Sequence, residues 1–280
     1  MSQEVTVPVE AEGFTRQRRS ESLPFGLKPT TQKSVTEMEV NDIAPRIFHV
    51  TSKMDGESCT VAIHCSVRQE DVDDVFDVIP VEIADAEGNF NGSFANFYAD
   101  LHVCSHSTDL KVKFDEGEEP DSVYTKTILP LWPEFFRIIA ETGNQFIEDE
   151  DVIFVFRGVI CGQDIKPSKV NKDAVGEPTF HLTESYVLKG DASEMLTYHN
   201  DIYSLEDDRD PFVPFNPCER IATVLLTQEN ANEIIDKYLN APASDGEGVV
   251  FWEKSIAFGG EVLTGFSFKI DSKEYLEAQS

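Results

Sequence analysis

Two strand-like runs that meet at an Asp-Gly pair constrain this chain more than any other feature. An apolar run through Phe48 and Val50 leads into Lys53, Met54, Asp55 and Gly56, and a second run leaves it. In that second run Cys59, Val61, Ile63, Cys65 and Val67 alternate with Ser58, Thr60, Ala62 and His64. Period-two alternation puts one set on a buried face and the other on a more polar one. An Asp-Gly pair between two such runs predicts a tight turn. Lys53 then stands at a strand end, where a lysine serves either as a solvated charge or as a nucleophile.

Further elements follow in order. Residues 1–40 mix charges, Ser, Thr and Pro without a sustained period and carry a basic cluster at Arg16, Arg18 and Arg19, so they read as a loosely ordered arm ahead of a domain over 41–280. Glu70 to Asp77 reads as an acidic connector, Val78 to Ile83 as a strand entering a turn at Gly88 to Gly92, and Phe114 to Pro120 as an acidic loop. Leu131 to Gly143 has helical spacing, with Pro133 in its first turn and Gly143 at its stop. Asp151 to Cys161 is a continuous apolar run, the mark of a strand buried on both faces. Pro178 to Leu196 reads as strand and turn, and Asp207 to Pro217 as a Pro-rich loop. Gln228 to Asn240 predicts a short helix with Ile234, Ile235, Tyr238 and Leu239 on its apolar face. Strands are expected at Asp245 to Trp252 and at Gly265 to Asp271.

With 280 residues and 40% hydrophobic content, the chain can bury a sizeable core, and it is not a disordered protein. The net charge of -29 repels a nucleic-acid backbone at long range, so phosphate chemistry here needs a local basic pocket or bound cations. Five cysteines without a Cys-x-x-Cys pair fit reduced thiols, and no run reaches membrane-spanning length. The expectation is a soluble, cytoplasmic protein. His102, Cys104 and His106 at alternate positions invite a zinc reading, but a closed zinc site wants four ligands and the sequence offers no second pair.

Five blocks recur in an order that resembles the covalent, lysyl-AMP-forming nucleotidyltransferases, and most closely the ATP-dependent RNA ligases. They are Lys53 to Gly56, Val103 to Leu110, Arg157 to Gly162, Glu247 to Val250 and Ser267 to Ile270. The resemblance implies an α+β nucleotidyltransferase (ligase adenylation-domain) fold of antiparallel sheets with flanking helices. It implies that Lys53 attacks the α-phosphate of ATP, that Lys269 assists as a second catalytic cation, and that Glu247 holds Mg²⁺ or Mn²⁺. Asp55, Gly56 and His106 would complete the nucleotide site, RNA 5′-phosphate and 3′-hydroxyl ends would be the substrates, and a protein partner could assist in their recognition.

The sequence departs from the family pattern at three places. Ser52 replaces the glutamate common before the nucleophile, His106 the arginine of the second block, and Val159 the glutamate of the third. Two other readings follow: a degenerate nucleotidyltransferase that acts as a binding or interaction protein, and a capping-type guanylyltransferase.

Overall fold

A computed structural model of the chain describes residues 22–29, 32–67, 97–110, 112, 120, 122–132, 135, 139, 152–163, 165–166, 171, 173, 175–190, 195–199, 216–218, 220–257 and 260–279. In chain order its strands are β1 (Lys33–Ser34), β2 (Arg46–Lys53), β3 (Glu57–Val67), β4 (Phe97–Cys104), β5 (Asp109–Leu110) and β6 (Val152–Cys161). There follow β7 (Thr179–Lys189), β8 (Met195–His199), β9 (Asn216–Pro217), β10 (Arg220–Leu226), β11 (Gly248–Ala257) and β12 (Gly260–Asp271). The helices are α1 (Val40–Ile43), α2 (Val123–Ile128), α3 (Ala231–Leu239) and α4 (Lys273–Gln279).

Among the described residues the strands form two sheets with mainly antiparallel pairing, and helices flank them. The first runs β1-β12-β11-β2-β10, and the second runs β5-β4-β3-β6-β7-β8 with β9 paired to β7. This is the expected α+β architecture.

The alternation in β3 comes out as read. Cys59, Val61, Ile63 and Cys65 join Val103, Phe154, Phe156, Ile128, Phe135 and Ile139 in one core. On the opposite face Ala62 packs with Ile153, Val155, Tyr186 and Leu188, under Phe25 and Leu27. β6 is paired on both edges, by β3 and β7, and both its faces are covered, Phe154 and Phe156 lying in the first core and Ile153 and Val155 in the second, which explains its unbroken apolar sequence. In the first sheet Phe48, Phe251 and Phe268 cluster, with the rings of Phe251 and Phe268 stacked at 4.7 Å. Tyr238 of α3 meets the Phe251 ring edge-on at 5.7 Å. Ile234, Ile235 and Leu239 pack on the same core, as the helical spacing predicts.

The structure departs from the sequence reading at three places. The Asp-Gly turn is no hairpin: β2 pairs with β10 and β11, β3 pairs with β4 and β6, and Met54 to Gly56 carry the chain from one sheet to the other. Alternation marks each run as a strand but is silent about its partner. A further helix, α2, precedes the one read from Leu131, whose described residues Trp132, Phe135 and Ile139 are helical; the Ser122 hydroxyl accepts the backbone N–H of Thr125 at 3.1 Å and caps α2. Residues 32–40, read as part of an arm, lie on the first sheet: Lys33 and Ser34 pair in parallel with Phe268 and Lys269, and Val35 is buried beside Ile43.

The segment before β1 also touches the second sheet. Phe25 packs its ring edge-on to His102 at 4.9 Å, and Arg157 donates to the Lys28 carbonyl at 2.7 Å. Gln32 donates to the Ser267 hydroxyl of β12 at 3.4 Å. Phe25 and Lys28 on the second sheet, with Gln32, Lys33 and Ser34 on the first, thus tie one sheet to the other. The cluster at Arg16, Arg18 and Arg19, the readings over 70–92, most of 114–120 and 207–215, and Pro133 with Gly143 lie outside the described residues.

Candidate active site

Strand register brings distant charges together. Gly248 of β11 lies opposite Lys53 of β2 on one side and Asp271 of β12 on the other, so residues 53, 248 and 271 form one row across three strands. In the next row of the same face, Val250 lies between Thr51 and Lys269. Glu247 precedes Gly248 directly. Lys53 Nζ pairs with the Glu247 carboxylate and lies 3.4 Å from Asp271 Oδ1, while Lys269 Nζ lies 3.4 Å from Asp271 Oδ2. Two cations and two carboxylates therefore alternate in one partly buried group, with Lys53 only 16% exposed and Lys269 32%.

Glycine is required at the centre of this row. Gly248 has φ +151°, and a Cβ there would stand 2.1 Å from the carbonyl oxygen of Ile270. No other residue lets the β11 and β12 backbones approach in this way. Beneath the charged row, Trp252 Nε1 donates to the Thr51 hydroxyl at 3.0 Å, and Val250 packs on the indole. This buried bond fixes β11 against β2 just below the nucleophile candidate.

Met54, Asp55 and Gly56 leave this row for the second sheet. Asp55 is 4% exposed, and its carboxylate accepts hydrogen bonds from the Tyr275 hydroxyl and from Gln279 Nε2, the latter at 3.1 Å. Its backbone N–H donates to Asp173 Oδ2 at 3.0 Å, and its carbonyl accepts from Asn171 Nδ2 at 3.0 Å. Gly56 is pressed on β6: a Cβ would meet the Ile160 carbonyl oxygen at 2.3 Å and Val159 Cγ1 at 2.6 Å. Close approach to β6 thus explains this glycine. The nearby Cys161 thiol is pushed up to about 12, first by burial and then by the charge of Asp173, so it stays protonated and is no competing nucleophile.

The structure therefore brings Lys53, Glu247 and Lys269 together and adds Asp271, which the sequence reading missed. Its only sequence signal was its place two residues after Lys269, and the pairing that carries it to Lys53 spans more than two hundred residues. His106 is not brought into this group; it is exposed in the turn between β4 and β5, where the Ser105 N–H donates to the Thr108 carbonyl at 3.0 Å. His102 Nδ1 instead bonds buried Asp109 at 2.9 Å, and the Cys104 thiol points to the same carboxylate at 3.8 Å. Among the described residues no three acidic, His or Cys side chains gather as a metal site, so the zinc reading has no geometric support.

No family model matches the chain, and no curated protein resembles it in sequence. Solved structures do. An Arg-to-Ala variant of the Naegleria gruberi RNA ligase with ATP and manganese superposes with a TM-score of 0.54 at 18% identity, covering 97% of this chain and 64% of that one. The same ligase with PPi gives 0.52 at 20% identity, covering 97% and 63%. A Lys-to-Met variant with AMP and manganese gives 0.53 at 18% identity, covering 94% and 61%. The chain spans a little over three fifths of the length of these structures. It shares with them the nucleotidyltransferase fold of an RNA ligase.

Proposed function

We propose that this chain is an ATP-dependent RNA ligase of the covalent nucleotidyltransferase type, with Lys53 as its nucleophile. The observation that carries the reading is the register-matched group of Lys53, Glu247, Asp271 and Lys269, standing at strand ends in a fold shared with solved RNA ligases. Those ligase structures hold ATP or AMP with manganese, which supports the same nucleotide and a divalent cation here.

In the first step Lys53 Nζ attacks the α-phosphorus of ATP. A nitrogen–phosphorus bond forms, the bond to the bridging oxygen breaks, pyrophosphate leaves with that electron pair, and the nitrogen releases one proton to solvent. The amine must be neutral when it attacks, although a free lysine titrates near ~10.4. Lys269, paired with Asp271 beside Lys53, would stabilise charge on the α-phosphate oxygens.

Glu247 and Asp271, both within reach of Lys53, form a pair of carboxylates that suits Mg²⁺ or Mn²⁺, since such ions keep waters and phosphate oxygens in the rest of their shell. When bound, the cation would supply Lewis acidity at the phosphates. Asp55 and Gly56 shape the turn that presents Lys53, and His106 would contact the phosphate or ribose side of the nucleotide. AMP then passes to an RNA 5′-phosphate, and a 3′-hydroxyl expels it to seal or repair the strand. Cys59, Cys65, Cys104, Cys161 and Cys218 are buried and form no disulfide, which suits the reducing cytoplasm. No helix among the described residues is long and apolar enough to cross a membrane.

Nicked RNA with a 5′-phosphate and a 3′-hydroxyl tests the assignment. Sealing that requires ATP and Mg²⁺ and disappears in Lys53→Ala is the expected result. ATP binding without sealing would favour a binding protein of the same fold, a reading supported by Val159, whose apolar side chain packs on Gly56. Covalent labelling by GTP and not ATP would favour the capping-type guanylyltransferase.

A further inference from the structure

Asp55 holds a buried charge, and such a charge is strongly unfavourable unless it is paired and hydrogen-bonded. Its closest side-chain donors come from α4. Tyr275 and Gln279 both donate to Oδ2, whereas Lys166 Nζ stays 3.9 Å from Oδ1 on a half-exposed side chain. Tyr275 is 1% exposed, and burial together with the bond to Asp55 pushes its phenol up, so the hydroxyl keeps the proton it donates.

The start of α4 is fixed to the other half of the site. Ser272 follows Asp271, and its N–H donates to the Glu247 carbonyl at 2.9 Å. Its hydroxyl donates to the Ala241 carbonyl at 2.7 Å and accepts the Tyr275 N–H at 3.2 Å. The contacts close a ring from Lys53 to Asp271, Ser272, Tyr275, Asp55 and back to Lys53. On one side of the ring lie the ion pairs, and on the other side lies α4.

We propose that Tyr275 and Gln279 are positioning residues, which clamp the Asp55 turn and so set the place of Lys53 relative to Glu247 and Asp271. The part of this that concerns catalysis rests on the ligase reading; the clamp itself does not. Tyr275→Phe keeps the buried ring and removes the donor. Gln279→Ala removes the second donor at an exposed position, where folding is not at risk.

Amide hydrogen exchange of Met54 to Glu57, read beside the rate of self-adenylylation, tests the proposal. A hydrogen bond to a charged group supports an expected rise in exchange of about 10- to 100-fold at these amides in Tyr275→Phe, with a smaller rise in Gln279→Ala. Exchange in β11 and in β3 beyond Glu57 should stay unchanged. The adenylylation rate at saturating ATP should fall by about tenfold or more, with the KM for ATP held within about twofold. Unchanged exchange at Met54 to Glu57 overturns the clamp. A uniform rise across β11 and β3 also overturns it, because Tyr275 would then serve general stability. Altered exchange with an unchanged rate overturns the positioning role. If the wild type takes no AMP at all, the ligase reading fails while the exchange data still decide the clamp.

Discussion

Gly56→Ala should destabilise the protein through steric conflict with β6. A Cβ at this position would lie 2.3 Å from the Ile160 carbonyl oxygen, 2.6 Å from Cys161 Sγ and 2.6 Å from Val159 Cγ1, where ordinary contact begins at 3.4 Å. Backbone must therefore yield by about 1 Å in a strand paired on both sides, which places the cost near the upper end of the roughly 1–3 kcal/mol typical of overpacking. At about 2–4 °C per kcal/mol for a domain of this size, the melting temperature should drop by about 6–12 °C. Gly56 is not among the residues with positive φ, so conformational strain adds nothing. That separates two explanations. If the turn needed a left-handed residue, Asn would be tolerated better than Ala. Since close approach is the reason, Gly56→Asn should be worse than Gly56→Ala. Thermal unfolding of both variants decides, with Gly176→Ala as a control of the opposite kind, having φ +72° and open space around it. A Gly56→Ala melting point within about 2 °C of wild type, or an Asn variant more stable than the Ala variant, would refute the reasoning.

Burial raises the thiols of Cys59, Cys65, Cys161 and Cys218, the last two to about 12, and raises the phenols of Tyr124, Tyr186 and Tyr275. These groups favour the protonated native state, so their contribution is complete below the unfolded values and is lost as pH rises; each buried thiol should cost roughly 1.4 kcal/mol between pH ~8 and ~10. Equal denaturant midpoints at the two pH values would contradict this. His181 is shifted the other way, lowered by burial, so its contribution is present above the usual histidine value and should fade as the solution becomes acidic, visible as a falling midpoint below pH ~6.5. Asp271→Asn should lower the initial rate of self-adenylylation by about tenfold while the melting point stays within about 2 °C, since the residue is at a strand end and touches both lysines. An unchanged rate would make Asp271 a bystander.

Period and spacing made the strands legible. The alternation around Ile63 and the unbroken run to Cys161 each carried a physical requirement that the sheets meet. Helix α3 was legible because Ile234, Ile235, Tyr238 and Leu239 share one face. Lys53, Glu247 and Lys269 were found through resemblance, and strand register explains why they lie together. What stayed hidden is what long-range pairing creates. Nothing local to Asp271 says that it stands two strands from Lys53, and nothing local to Tyr275 or Gln279 says that they meet Asp55. The Asp-Gly pair misled for the same reason, because a turn sequence does not tell whether its two strands pair with each other. Ser122 did carry a local signal for α2, a capping hydroxyl three residues before Thr125, but α2 is too short to show a helical period of its own.

The central claim is that Lys53 forms a covalent bond to AMP. Wild-type protein incubated with ATP labelled at the α-phosphate and Mg²⁺ should acquire an acid-labile adenylyl group, released by excess pyrophosphate and mapped by peptide mass spectrometry to Lys53. Lys53→Ala should take no label. Wild type that stays unlabelled, or a Lys53→Ala variant labelled as well as wild type, would contradict the account.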